Sequence, residues 1–463
     1  MSSIDKVLAR IDANLDNSLD RLFDLLKIKS ISTDPAFSAD CRAAAEWLAK
    51  DLTGMGIEAT VRETEGHPMV VGHRKSGKAG PHVLFYGHYD VQPVDPLNLW
   101  DTDPFEPSIV TREDGTKVIV ARGSADDKGQ LMTFVEAARA YLAETGDLPI
   151  DVSILFEGEE ESGSPSLDPF LKATKDELTC DLALVCDTGM WDPETPAISI
   201  MLRGMVGDEI IVRAANRDLH SGHYGGSAQN PNHIVASIIA GLHDENGRIT
   251  LPGFYDGVKD IPESLAKMWD GLGFSSEEFL GEIGLKYPRG ENDRQPLEHI
   301  WTRPTAEVNG MWGGYQGAGS KTVIPAEAHA KFTFRLVEGQ DPDKIQDAFR
   351  AYVRSKVPAD CTVEFLAKDG SPALALDPNM PVIEKGKKAL KDEWGKDTAL
   401  IGMGGSIPIV GDFKRMLGMD SLMIGFGLED DQIHSPNEKY NLTSFHKGIR
   451  SWARLIGELA ETA

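Results

Sequence analysis

Short apolar runs alternate with helical stretches through the first two hundred residues, and this alternation constrains the fold more than any other feature. Residues 69–73, 83–86, 152–156 and 182–185 are four or five residues long and rich in Val, Leu, Ile and Phe, as buried strands are. Residues 128–142 and 166–175 carry helical patterning between them. Parallel neighbours need a long crossover and antiparallel ones do not, so the spacing predicts an α/β fold: a mainly parallel sheet with helices on both faces. Ahead of it, Ile4, Val7, Leu8, Ile11, Leu15, Leu19, Leu22 and Leu26 recur at helical spacing and predict one long amphipathic helix over 4–27. A second helix, 40–55, runs out near Gly54 and Gly56.

The pattern changes near Arg203. Residues 209–214 read as a strand, 217–226 as a loop bearing Gly and His, and a helix follows Pro231. Further on, 328–336 reads as a strand, 345–356 as a helix and 362–366 as a strand, the order of a smaller α+β layer. Helix 382–394 and strand 421–426 return to the first pattern, so the middle third reads as an insertion. A chain of 463 residues exceeds one ordinary core. The division expected is 1–205 and 371–463 as one domain, with 206–370 inserted into it. Residues 245–320, rich in Gly, Pro and Trp, show no clean period.

A formal charge of −26 argues against nucleic acid and anionic membranes, whose phosphates attract basic surfaces. Bound cations would offset part of that charge. Four cysteines without a CxxC pair read as reduced thiols. The start of the chain has no apolar targeting segment and no run approaches membrane-spanning length, so a soluble cytoplasmic protein is expected.

His88 ends the 83–86 run, where open α/β sheets place ligands, and Asp90 follows on the same face of an extended backbone, placed to orient the imidazole. Asp126 lies just before a helix, Glu160 and Glu161 follow 152–156, Asp187 follows 182–185, and His434 follows 421–426. Each alone has an ordinary explanation: a helix cap, a solvated loop, a hydrogen-bonded histidine. Gathered at one sheet edge, such carboxylates would repel unless cations sat among them. Two divalent ions answer that repulsion, and mixed imidazole and carboxylate donors suit zinc, with manganese the alternative. Of two adjacent glutamates, one can hold metal while the other moves protons.

The sequences Gly-His-Tyr-Asp-Val-Gln-Pro at 87–93, Arg-Gly-Ser-Ala-Asp-Asp-Lys-Gly at 122–129, Glu-Gly-Glu-Glu-Glu-Ser-Gly-Ser at 157–164, Asp-Leu-His-Ser-Gly at 218–222, Lys-Thr-Val-Ile-Pro at 321–325, Phe-Arg-Leu-Val at 334–337 and His-Ser-Pro-Asn-Glu at 434–438, with Asp187, resemble the M20 family of metallopeptidases, nearest its carnosinase and cytosolic nonspecific dipeptidase branch. The resemblance spans nearly the whole chain, in order. It implies that Asp126 bridges two metal ions, His88 and Asp187 completing one site and Glu161 and His434 the other. It implies Glu160 as general base and then acid, Asp90 as the residue orienting His88, and a cis peptide between Asp126 and Asp127. The insertion becomes a lid that also forms a homodimer. His220 then stabilises the oxyanion in the partner's site, Arg335 clamps a substrate carboxylate, and Thr322 and Ser406 make further substrate contacts. Without the resemblance, His220 is a loop histidine and Arg335 is equally well a strand arginine in a surface ion pair.

The expected activity is hydrolysis of dipeptides or small peptides with a free C-terminal carboxylate by a metal-activated water. Two alternatives stay open at this stage: an N-acyl amino acid deacylase or carbamoyl amidohydrolase of the same fold, and a non-catalytic binding protein. Glu159 makes the glutamate run a triple, which leaves base and ligand open to a shift of one position.

Overall fold

Strand 82–88 lies in the middle of a sheet whose central members all point the same way. In the computed structural model, which describes residues 2–366, 368–405 and 407–461, His82–His88 pairs in parallel with Asp151–Glu157 on one side and Leu182–Val185 on the other. Ser421–Met423 adds a further parallel strand beside Leu182–Val185. These strands are buried on both faces, which is why they read as continuous apolar runs. The flanks are antiparallel: Met69–Arg74 pairs with Asp151–Glu157, Glu58–Arg62 with Met69–Arg74, and Ala197–Leu202 with Ser421–Met423. The sheet is therefore mixed, with a parallel centre. Helix Lys128–Thr145 packs on it, Phe134 stacking on Phe85 at 3.9 Å between ring centroids.

The single helix expected over 4–27 is two, Ser3–Ala13 and Leu15–Leu26. Asn14 breaks it: its side-chain amide donates to the carbonyl of Arg10 at 2.9 Å, competing with the helical ladder. Strand 421–426 is shorter than expected, ending at Met423. The chain there passes close to its neighbour, and a Cβ at Gly425 would lie 2.0 Å from the carbonyl oxygen of Thr188.

The chain divides into two compact units, one made of residues 1–200, 376–401 and 412–463, the other of 201–375 and 402–411. The sheet just described belongs to the first. The second holds an antiparallel sheet in which Glu327–Leu336 lies between Thr305–Gly313 and Gly204–Arg213, and Thr362–Phe365 pairs with Gly204–Arg213. Ile234 and Ile238 of helix Pro231–Ala240, with Ile345 and Phe349 of Pro342–Lys356, share an apolar layer with Phe332 and Phe334 of that sheet. Residues 245–320, which show no period, form short helices at Glu263–Asp270, Ser276–Glu282 and Pro296–Trp301 before strand Thr305–Gly313.

Candidate metal centre

Parallel strands end at a common edge, and that topology gathers residues far apart in sequence. His88 is the last residue of its strand, Glu160 and Glu161 form a short turn after Asp151–Glu157, and Asp187 follows Leu182–Val185 by two residues. Asp126 precedes helix Lys128–Thr145, and the Asp126–Asp127 peptide is cis. Donor atoms of His88, Asp126 and Asp187 lie within 4.8 Å of one another, and so do those of Asp126, Glu161 and His434. Asp126 is common to both groups. Its Oδ1 lies 3.1 Å from His88 Nε2 and its Oδ2 2.9 Å from His434 Nε2, so its two oxygens face two different imidazoles.

Asp90 joins the parts. It is fully buried, with Oδ1 3.4 Å from His88 Nδ1, while its carbonyl lies 3.1 Å from the same nitrogen. With the proton on Nδ1, Nε2 is left facing Asp126. The Asp90 carboxylate also accepts the backbone N–H groups of Glu160 and Glu161 and the hydroxyl of Ser32 at 2.6 Å. One carboxylate thus fixes a histidine ring and the glutamate turn together.

Glu159 is set apart from its two neighbours. Its carboxylate is buried and accepts the backbone N–H of His67 at 2.9 Å and of Ser166 at 3.0 Å, so it ties two loops together. Glu161 lies 3.3 Å from His434 Nε2 and accepts from Gln92 Nε2 at 2.6 Å. Neither Ser32 nor Gln92 is among the site residues expected from the sequence. Gln92 sits inside the quoted 87–93 stretch, whereas nothing in the sequence around Ser32 marks it as a partner of Asp90.

The electrostatics match a site built for cations. Burial, then repulsion from Asp126 and Asp127, pushes the Asp187 carboxyl well above its ordinary range. Hydrogen bonds to Asp126 and Glu161 raise the His434 imidazole to about 10, against some burial. Burial pulls His88 down, but its hydrogen bonds to Asp126 and Asp90 outweigh this and hold it well above the usual imidazole value. The donors fit two divalent ions, since imidazole and carboxylate are mixed in both groups and one carboxylate is shared. Burial raises the Glu160 carboxyl above its ordinary value, in part offset by His88.

His220, Thr322 and Arg335 belong to the second unit. Strand Leu219–His220 pairs with Val323–Ile324, which sets His220 opposite Val323 and beside Thr322. His220 is exposed and stacked on His223 at 4.5 Å, and its Nδ1 accepts the N–H of Gly222 at 3.0 Å. A neutral His220 therefore carries its proton on Nε2, as a donor. Arg335 is half-buried on Glu327–Leu336 and, among the described residues, makes no ion pair. Ser406 lies outside the described residues.

Peptidase family M20/M25/M40 matches residues 84–458 of the chain. The Cys-Gly metallodipeptidase dug1 of Schizosaccharomyces pombe is 29% identical, with 100% of this chain and 99% of that protein covered. Among solved structures, the di-peptidase Dug1p of Saccharomyces cerevisiae is similar with a TM-score of 0.80 and 27% identity, covering 100% of both chains. Human carnosine dipeptidase 1 is similar with a TM-score of 0.79 and 25% identity, covering 99% of both.

Proposed function

The chain belongs to peptidase family M20/M25/M40, and from that premise we propose that it is a dinuclear metal-dependent dipeptidase, cleaving the peptide bond of dipeptides or small peptides that have a free C-terminal carboxylate. The observation that carries this reading is the pair of donor groups sharing Asp126. His88, Asp126 and Asp187 would hold one ion, and Asp126, Glu161 and His434 the other, zinc in each, with manganese the alternative. Bound there, divalent ions would supply Lewis-acid polarisation of a carbonyl and lower the pKa of water to about 7.

The chain's own groups do the rest. Glu160 takes the proton of the attacking water and delivers it to the departing nitrogen, a task that its raised carboxyl suits. Asp90 holds the His88 ring and the Glu160–Glu161 turn in register. His220 of a partner subunit donates from Nε2 to the oxyanion, a contribution of about 3 kcal/mol at sites of this kind. Arg335 pairs with the substrate's terminal carboxylate. Its neighbour Arg203 is lowered to about 10, by burial and then by the Arg335 charge, so an anion at this place relieves repulsion between cations. Thr322 and Ser406 add substrate contacts. Residues 206–370 are the lid and the homodimer surface, and with four free cysteines the compartment is cytoplasmic. Among the described residues no helix is long and apolar enough to cross a membrane.

The test is hydrolysis of a dipeptide panel and the matching N-acyl amino acids by metal-stripped protein, before and after adding zinc or manganese. Metal-dependent release of amino acids from dipeptides supports the reading. Turnover confined to acylated compounds assigns the chain to deacylation instead.

A further inference from the structure

Behind the metal-facing side chains lies a buried carboxylate that the proposed chemistry does not use. Glu438 is fully buried, and both of its oxygens are doubly engaged. Oε1 accepts the backbone N–H of Ala125 at 2.9 Å and of Asp126 itself at 3.1 Å. Oε2 accepts the N–H of Gly123 at 2.9 Å and Nη1 of Arg122 at 2.7 Å. Arg122 is buried too, and its Nη2 donates to the carbonyls of Pro93 at 3.1 Å and Ser435 at 3.3 Å. One ion pair therefore ties together the stretch after His88, the turn that presents Asp126 and the loop that presents His434.

That last loop needs holding. Gln432, His434 and Asn437 all have left-handed backbones, with φ of 55°, 60° and 63°, a conformation that side chains other than glycine adopt only where surrounding contacts enforce it. Asn437 is fastened by its own bonds to Leu99 and Asp101. Glu438, the next residue, fastens the loop to the Asp126 turn.

We propose that Glu438 is a positioning residue for the metal centre: its carboxylate sets Asp126 and His434 at a fixed separation and so couples the two donor groups. The proposal rests on the dinuclear reading above. It takes no proton from Glu438 and no contact between Glu438 and substrate.

The experiment uses the full chain, stripped of metal and titrated with zinc alone and with manganese alone against a chelating indicator, for the wild type, Glu438→Gln and Glu136→Gln. Glu136 is the comparison because it is also buried, ion-paired with Arg21 and Arg139 and hydrogen-bonded by the Ser18 hydroxyl, but none of its partners carries a metal-facing group. Both variants lower the melting temperature. Glu438→Gln, folded by circular dichroism, binds the ions about 10- to 100-fold more weakly, with kcat falling and KM for a dipeptide within about twofold of wild type. Glu136→Gln keeps wild-type metal affinity within about twofold, because loss of stability elsewhere leaves the donors in place. Wild-type affinity in Glu438→Gln, or an equal loss in Glu136→Gln, overturns the proposal. If Glu438→Gln does not fold, Glu438→Asp decides: it keeps the charge, but its shorter side chain cannot reach the Gly123, Ala125 and Asp126 N–H groups and Arg122 together, and metal affinity unchanged from wild type overturns the proposal as well. A wild-type chain that binds neither ion overturns the dinuclear reading with it, so the two failures are told apart.

Discussion

Asp126 Oδ2 lies 2.9 Å from Nε2 of His434, a residue 308 positions away in the sequence. With the other oxygen of the same carboxylate 3.1 Å from His88, this contact makes Asp126 the hinge of both donor groups. Asp126→Asn keeps the size and removes the charge. The expected outcome is a fall from two bound ions to one or none per chain, with turnover lost by at least about 1,000-fold, as when a ligand central to a metal hydrolase is removed. Metal content by mass spectrometry after dialysis checks it.

Glu160 and Glu159 separate by what they touch. Glu160→Gln is expected to keep both ions and to lose about 100- to 10,000-fold in kcat, the range of a lost general base. Glu159→Gln leaves the chemistry in place and weakens the loops that it ties, lowering stability by about 1–3 kcal/mol for a buried bond partner. The reverse pattern, with Glu159→Gln inactive and Glu160→Gln active, would assign the base to the neighbouring position.

In the metal-free chain the folded value of His434, about 10, lies above the ordinary imidazole value of 6.5. The folded state therefore binds the proton more tightly than the unfolded one. Its stabilisation is complete below pH 6.5 and is lost as pH rises through about 10. Denaturant unfolding of stripped wild type and His434→Gln at pH 6, 8 and 10 should show a gap between the two that closes with rising pH. A gap that widens contradicts this reading.

Arg335→Ala is expected to raise KM for dipeptides about 10- to 100-fold, as loss of a charge-assisted carboxylate contact does. The same substitution should leave dipeptide amides, which lack that carboxylate, nearly untouched. Equal effects on both substrates would place Arg335 outside the substrate contact.

A shared site makes a further demand. His220→Ala and Glu160→Ala, each inactive as a pure homodimer, should regain part of the wild-type activity when mixed, since hybrid dimers hold one site with both residues intact. No recovery in a mixture shown to exchange subunits sinks the reading of His220 as the partner's contribution.

How much of this was legible depends on burial. Strands 83–86, 152–156 and 182–185 stand out because helices cover both faces of the sheet, which leaves no polar alternation to blur them. Edge strand Glu58–Arg62 is half-exposed and polar, so its sequence carries no such run. The short helices of 245–320 span six to eight residues, fewer than a helical period needs to show itself. Helix Leu442–Ala460 buries Phe445, Ile449, Trp452 and Ile456 at clear helical spacing, and a reading anchored on strand ends passes over it. In the site, residue types and motif order name His88, Asp126, Asp187 and His434, but no spacing in the sequence places 126 against 434. That contact is supported outside the parallel sheet, where Lys439–Asn441 pairs antiparallel with Lys117–Val120 and so brings together the stretches next to 434 and 126.

The most direct test of the central claim is a titration of the stripped protein with zinc or manganese, following hydrolysis of one good dipeptide and counting bound ions in parallel. Two ions per chain are expected, with turnover appearing as the second is bound. Full turnover in the stripped protein, or saturation at one ion per chain, would contradict it.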